Sequence, residues 1–284
     1  MRHPRGAATS LGAIAFFVAG AIVFLAIVAP SRAAAYGDTL AHPRTTPQYW
    51  VTTSGTDTAI DRVDPFIAGR VFRAAHSVAL GGWAGSITGA AWASEAEFAS
   101  DVRSGNIPSD VRAVMYDPEG WDSTPRPEQR DPALYAERFV WLAHANGYIA
   151  IVTPHPSLVS VPGSVCGQRA DETQEAAYVR CRIAEKVAKD ADLYETQAQA
   201  LERDPSAYRD FVARTARQAR SANPDVIVLS GLSTAPGYVA TAQMLYAAWD
   251  SVKDVVDGHY LSLVRVEYPG AAAAFLRLIA GGSN

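Results

Sequence analysis

Short apolar runs rich in Val, Ile and Tyr recur along this chain, at 49–53, 77–80, 111–116, 148–153, 192–196, 226–230 and 258–264. A helix-like segment precedes each of the later ones. Strands that are apolar throughout are buried on both faces, and a parallel sheet covered by helices is the arrangement that buries them. The helical segments carry their own start and stop signals. Between Asp204 and Asn223, the residues Tyr208, Phe211, Val212, Thr215, Ala216 and Ala219 fall at helical spacing. Asp204 is placed as an N-cap with Pro205 at the first helical position, and Asn223-Pro224 stops the helix. Asp131-Pro132 starts a second helix in the same way, with Phe139 and Leu142 on one face and Gly147 at its end. A third spans 240–252 and carries Leu245, Ala248, Trp249 and Val252.

Two closures of such a sheet are available, an open doubly wound sheet or a barrel. No Gly-x-Gly-x-x-Gly follows any of the apolar runs, which removes the main support for a dinucleotide-binding sheet. Polar residues recurring at strand ends favour a barrel, where the loops after the strands converge on one mouth. The expectation is an α/β chain folded as a (β/α) TIM-like barrel, incomplete or distorted. It forms a single domain over 48–284, after a lead-in at 36–47 that holds two prolines and little periodicity.

Residues 1–35 read as a targeting segment. Arg2 and Arg5 precede an uncharged apolar stretch over 11–30, and an Ala-x-Ala site follows at 33–35. Cleavage after Ala35 releases a secreted or extracytoplasmic domain. An uncleaved stretch of this length is a membrane anchor instead, and the only membrane contact expected. About 250 residues remain, the usual size of one barrel. Arg2, Arg5 and Arg32 leave with the segment, making the acidic net charge of −4 more negative by three. An acidic domain with no run of Lys or Arg is a poor partner for nucleic acid. Cys166 and Cys181 are the two cysteines, and in an oxidising compartment they are expected to pair. A two-Cys metal site lacks a nearby His to complete it. No cofactor and no metal is expected.

The strand ends carry the chemistry. Gly81-Gly82-Trp83 follows the run at 77–80. Asp117-Pro118-Glu119-Gly120-Trp121 follows 111–116, and Pro154-His155-Pro156 follows 148–153. Leu193-Tyr194 leads into Glu195, Thr196, Gln197 and then Gln199, and the last run holds His259 and Tyr260. Residues two apart on a strand face the same side, which pairs Asp117 with Glu119 and Glu195 with Gln197. Each has an ordinary reading as well. Asp-Pro is turn chemistry, Trp83 and Trp121 are residues that pack, His155 and His259 can be structural, and Gln197 and Gln199 can cap backbone groups. Glu119, followed by a flexible Gly and an aromatic, is the harder one to explain away. Glu195, a carboxyl at a core position that needs partners or incurs a large desolvation cost, is either a site residue or part of a buried polar network.

Two carboxyl groups facing a mouth lined by aromatic rings suit hydrolysis of a glycosidic bond, one donating a proton and the other acting as nucleophile or activating water. The expected pair is Glu119 and Glu195, with Asp117 raising the proton affinity of Glu119 by like charge. Trp83, Trp121, His155, Gln197, His259 and Tyr260 are the expected contacts to a carbohydrate substrate. A strand ending in Asp-x-Glu, here Asp117-Pro118-Glu119, resembles exported glycoside-hydrolase barrels, including the chitinase-like group. The longer signature Asp-x-x-Asp-x-Asp-x-Glu is absent, because 111–116 contains no acid. Two alternatives stay open. One is a barrel that binds an extracellular glycan without cleaving it. The other is a metal-dependent phosphoester or amide hydrolase built on Asp117, Glu119, His155 and His259. Serine hydrolysis has less support, since Ser230-Gly231 lacks the Gly-x-Ser-x-Gly elbow.

Overall fold

The computed structural model describes residues 49–53, 71–75, 87–234, 241–262 and 269–281. The targeting segment, the lead-in and Trp83 lie outside the described residues. Among those described, no helix is long and apolar enough to cross a membrane. Among the described residues there are eight strands, β1 (Tyr49–Thr53), β2 (Val71–Ala75), β3 (Ile87–Trp92), β4 (Val111–Tyr116), β5 (Ile149–Val152), β6 (Leu193–Thr196), β7 (Ile227–Ser233) and β8 (Gly258–Ser262). Each pairs in parallel with the next, and β8 returns to β1, so the sheet closes into a barrel. The ring is complete, with one register shift between Thr88 and Gly89 where β3 meets β4.

Two of these strands have no counterpart among the apolar runs. Ile87–Trp92 reads ITGAAW and Val71–Ala75 reads VFRAA. Ala and Gly are weak strand formers and Arg interrupts an apolar pattern, so pairing within the ring defines these strands where local propensity does not. The run at 77–80 lies outside the described residues.

The helices form where their caps are written. Asp204 accepts hydrogen bonds from the N–H groups of Ser206 and Ala207, opening the helix Pro205–Ala222. Asp131 accepts from Leu134 N–H and opens Pro132–Ala145. Gly147, at φ 77°, turns the chain back toward β5 in a conformation that costs a residue with a Cβ. The third helix runs Ala242–Val252 and is capped by Thr241.

Alternation along the strands divides the core in two. Val114, Tyr116, Ala150, Val152, Tyr194, Val228, Leu232 and Leu261 face outward and pack under the helices. Tyr116 stacks on Phe139 with ring centres 5.2 Å apart, and Phe139 meets Phe98 at 4.2 Å. Each such buried ring contributes about 2 kcal/mol of burial, with a further increment from the ring pairing. Ala113, Met115, Ile149, Ile151, Leu193, Ile227 and Leu229 face inward and fill the barrel below its mouth.

Glu128 has no signal in the sequence, sitting in a short charged helix, Arg126–Arg130, that reads as surface. It is nevertheless only 2% exposed. Its carboxylate accepts from Ser94 Oγ (2.9 Å), Tyr116 Oη (2.9 Å) and the N–H groups of Glu95 (2.7 Å) and Ala96 (3.3 Å). It thereby satisfies the start of the helix Glu95–Ser104, whose first N–H groups have no partner within the helix.

Candidate active site

The inward columns of the barrel change character near their C-terminal ends. In β4, Ala113 and Met115 are followed by Asp117, and in β5, Ile149 and Ile151 are followed by Thr153. In β6, Leu193 is followed by Glu195 and Gln197, and in β7, Ile227 and Leu229 are followed by Gly231. The two-residue period of a strand carries each apolar column into a polar mouth.

Asp117 extends the ladder past β4, its N–H donating to Trp92 O at 2.9 Å, and Thr153 extends β5 by donating to Tyr116 O at 2.9 Å. Gln197 closes over both, its Nε2 donating to Asp117 Oδ1 (2.6 Å) and to Thr153 O (2.7 Å). The loop bearing Glu119 is pinned on each side. Glu119 N–H donates to Thr124 Oγ1 (3.1 Å), Gly120 N–H to Ser157 Oγ (3.2 Å), and His155 N–H to Pro118 O (3.1 Å). Beneath the loop, Gln129, fully buried, donates to the carbonyls of Trp121 (2.5 Å) and Thr124 (2.7 Å). Gln129 and Thr124 are thus the supports that sequence reasoning did not find. Both look like ordinary polar loop and helix residues until the loop folds over them.

Three carboxyl groups come together here. Burial pushes Asp117 up to about 6, against the opposing hydrogen bond from Gln197. Burial and the charge of Asp117 push Glu119 up to about 8. Glu195, 1% exposed, is driven well above the ordinary carboxyl range by burial and by the charges of Asp117 and Glu119. The expected triplet of Asp117, Glu119 and Glu195 is therefore a single electrostatic unit, and at neutral pH Asp117 is the member that ionises. Its companions keep their protons because like charges in a buried site cannot all form.

The expected substrate contacts divide. Tyr260 lies half-buried against the inner cluster, opposite Gly231. Trp121 is 64% exposed on the loop beyond Glu119, an open aromatic face rather than a packing residue. His155 is held by its own turn, Nδ1 accepting from Ser157 N–H at 3.0 Å with Ser157 Oγ at 2.8 Å. An accepting Nδ1 places the ring proton on Nε2, and burial lowers the imidazole to about 4, so it stays neutral. His259 is a correction. Tyr260 takes the inward position on β8, so His259 faces the helices, with Ser230 Oγ 2.9 Å from Nδ1 and the Trp249 ring 6.3 Å away. Fully buried there and lowered to about 3 by burial, it is part of the outer core. The alternative metal set of Asp117, Glu119, His155 and His259 is therefore not assembled. Among the described residues no group of three or more His, Cys, Asp or Glu is placed to hold a metal.

Cys166 and Cys181 form the expected disulfide. It ties the long segment after β5 to the end of the helix Gln174–Arg180, beside the Arg180–Glu172 ion pair.

Fold and mouth define a TIM-like α/β barrel with acidic residues at the C-terminal ends of its strands. No family model matches the chain, and no curated protein matches it. Solved structures similar to it include the glycoside hydrolase family 17 β-1,3-glucanosyltransferase from Rhizomucor miehei, at 13% identity and a TM-score of 0.44, covering 81% of this chain and 92% of that one. A family 51 α-L-arabinofuranosidase, AbfB, from Bifidobacterium longum is similar at 10% identity and a TM-score of 0.40, covering 76% and 66%. The carboxyl transferase domain of Rhizobium etli pyruvate carboxylase is similar at 10% identity and a TM-score of 0.47, covering 87% and 48%. Function has to be argued from the site.

Proposed function

We propose that this protein is an extracytoplasmic glycoside hydrolase in which Glu119 donates a proton and the Asp117 carboxylate, set beside the protonated Glu195, supplies the answering charge. The observation that carries the reading is the division of proton affinities within one carboxyl cluster. Glu119, at about 8, is a protonated acid at neutral pH, while Asp117, at about 6, is an anion beside it. Glycosidic cleavage asks for that division. The proton of Glu119 passes to the bridging oxygen, and the electron pair of the breaking carbon–oxygen bond leaves with it. The positive charge that develops on the sugar faces the Asp117 carboxylate, and water adds to the same carbon, passing a proton to the carboxylates and restoring the protonated Glu119 as hydrolysis completes. Trp121 offers a flat apolar face to a sugar ring, and Tyr260 and the neutral His155 offer hydroxyl and N–H groups. The disulfide and the basic-apolar-Ala-x-Ala opening support an oxidising compartment outside the cytoplasm.

The test is release of reducing sugar from a panel of glycans by residues 36–284, beside Glu119→Gln and Glu195→Gln. Loss of activity in both folded variants supports the pair. Binding without release from any glycan would instead make the protein a glycan-binding barrel.

A further inference from the structure

The pairing of β4 with β5 runs on past the ends of both strands. Thr153 N–H donates to Tyr116 O at 2.9 Å, and two residues further along each chain His155 N–H donates to Pro118 O at 3.1 Å. In a parallel ladder a residue that donates in this way also accepts at its own carbonyl. Both accepting rungs are altered here. Pro118 has no N–H to give to Thr153 O, and Gln197 Nε2 fills that place at 2.7 Å. Gly120 N–H would reach His155 O, but that carbonyl accepts from Leu158 N–H at 3.2 Å, within the 3₁₀ turn Pro156–Ser160.

The hydroxyl of Ser157 takes the place of the missing acceptor. Its Oγ accepts from Gly120 N–H at 3.2 Å and lies 2.8 Å from His155 Nδ1. A hydroxyl that donates to Nδ1 keeps its lone pairs for Gly120. A Cβ on residue 120 would lie 3.1 Å from that oxygen, so glycine is what lets the loop approach this closely. The turn itself is rigid, with a proline on each side of His155 and with Pro156, Leu158 and Val159 buried. Burial lowers His155 to about 4 against the charge of Glu175, so Nδ1 stays an acceptor throughout the range in which Glu119 titrates.

Glu119 stands between the two peptide groups that this turn holds. Thr124 secures the other flank, its Oγ1 accepting from Glu119 N–H and donating to Ala93 O just beyond β3. The 155–157 turn is the tie on the side of β5, next to β6, where Glu195 stands. Asp117 and Glu195 are the charged groups that act on Glu119 from those strands.

We infer that Ser157 is a positioning residue for the proton donor: its hydroxyl, braced by His155, holds Gly120 and so keeps the Glu119 carboxyl inside the cluster with Asp117 and Glu195. The inference rests on the reading of Glu119 as the acid and adds the contact that keeps it in place. Without the hydroxyl, Gly120 N–H loses its acceptor on the β5 side and the loop relaxes toward water. Glu119 then leaves both burial and the charge of Asp117, the two causes that raise it to about 8.

The experiment follows the Glu119 carboxyl directly, by carbon-13 NMR titration of protein labelled at its glutamate carboxyl carbons and assigned with Glu119→Gln. Ser157→Ala should lower the Glu119 midpoint by about one unit or more, toward its ordinary 4.5. Ser157→Val and Ser157→Thr share one shape, and Ser157→Thr alone keeps the hydroxyl. Ser157→Val should move the midpoint as Ser157→Ala does, and Ser157→Thr should move it less. On a glycan that the unmodified protein cleaves, Ser157→Ala should lower kcat by about 10- to 100-fold with KM little changed. Its alkaline limb should come down with the midpoint. An unmoved midpoint in Ser157→Ala, or equal midpoints in Ser157→Thr and Ser157→Val, would overturn the inference whatever the activity. A Glu119 that titrates near 4.5 in the unmodified protein would overturn both the inference and the hydrolase reading. The expected midpoint shifts, with no glycan cleaved by the unmodified protein, would sink the hydrolase reading and leave the role of Ser157 standing.

Discussion

Gln197 and Asp117 lie 80 residues apart in the chain and meet at 2.6 Å, the Gln197 amide donating to the Asp117 carboxyl. The same nitrogen donates to Thr153 O, so one side chain ties the ends of β4, β5 and β6 together. Gln197→Met keeps much of the volume and removes the donor. Asp117 then loses the bond that holds its proton affinity down, and the acidic limb of the activity profile should move to higher pH. Stability should fall by about 1–3 kcal/mol. An unchanged acidic limb in Gln197→Met would count against Asp117 as the ionised member.

Activity should follow a bell with limbs near pH 6 and pH 8. Asp117 must be ionised, so activity rises as pH passes about 6, and Glu119 must be protonated, so it falls as pH passes about 8. The limbs belong to the interacting cluster as a whole. Glu119→Gln should leave a weak residual rate without the alkaline limb, and a pH series of kcat on both proteins decides it.

The same groups set a stability trend. Asp117 and Glu119 hold protons more tightly in the folded state than their ordinary values of 3.8 and 4.5. The stability they contribute is full below those values and is lost as pH rises through about 6 and about 8. Glu119→Gln removes one of these groups. It should raise Tm relative to the unmodified protein at about pH 9, and the difference should vanish toward about pH 4. A Tm lowered equally at both ends would show that Glu119 is a structural support.

Glu128→Ala strips one acceptor from four donors in a buried site. It should cost about 3 kcal/mol or more, because the donors stay buried without partners and a cavity remains. Glu128→Gln should cost less, since it keeps one acceptor and the volume. Urea denaturation midpoints for the two variants give the comparison.

The two cysteines of the disulfide lie at a sequence separation of 15, and closing a loop of that size stabilises by about 3 kcal/mol through the unfolded chain. A Cys166→Ser, Cys181→Ser variant should lose about that much and should be cut by protease first between 156 and 173. Equal resistance to protease would mean that the segment is held by its hydrogen bonds alone.

The acidic mouth was legible because a strand's period is strict. Once 111–116 and 192–196 are strands, Asp117 follows the inward column of Met115 and Glu195 that of Leu193, and apolar neighbours say that the face is buried. Glu119 lies on the loop beyond, where the strand period no longer applies. Helix starts were equally local: an Asp before a Pro caps the first turn with atoms from the next few residues, as Asp131 and Asp204 do. His259 was not legible. β8 is buried on both faces, so apolar residues flank the histidine either way and no alternation of polar and apolar reveals which side is the lumen.

The sequence by itself determined the class of fold and the capped starts of the helices at Pro132 and Pro205, because those depend on residues near one another in the chain. Tertiary structure alone decided that Asp117, Glu119 and Glu195 share one electrostatic environment, that Gln197 bridges three strands, and that Gly231 yields its place to Glu195 and Gln199. It also decided that Glu128 is a core residue. Proton affinity and close packing depend on what approaches from distant parts of the chain, and only closure of the barrel brings those parts within a few ångströms.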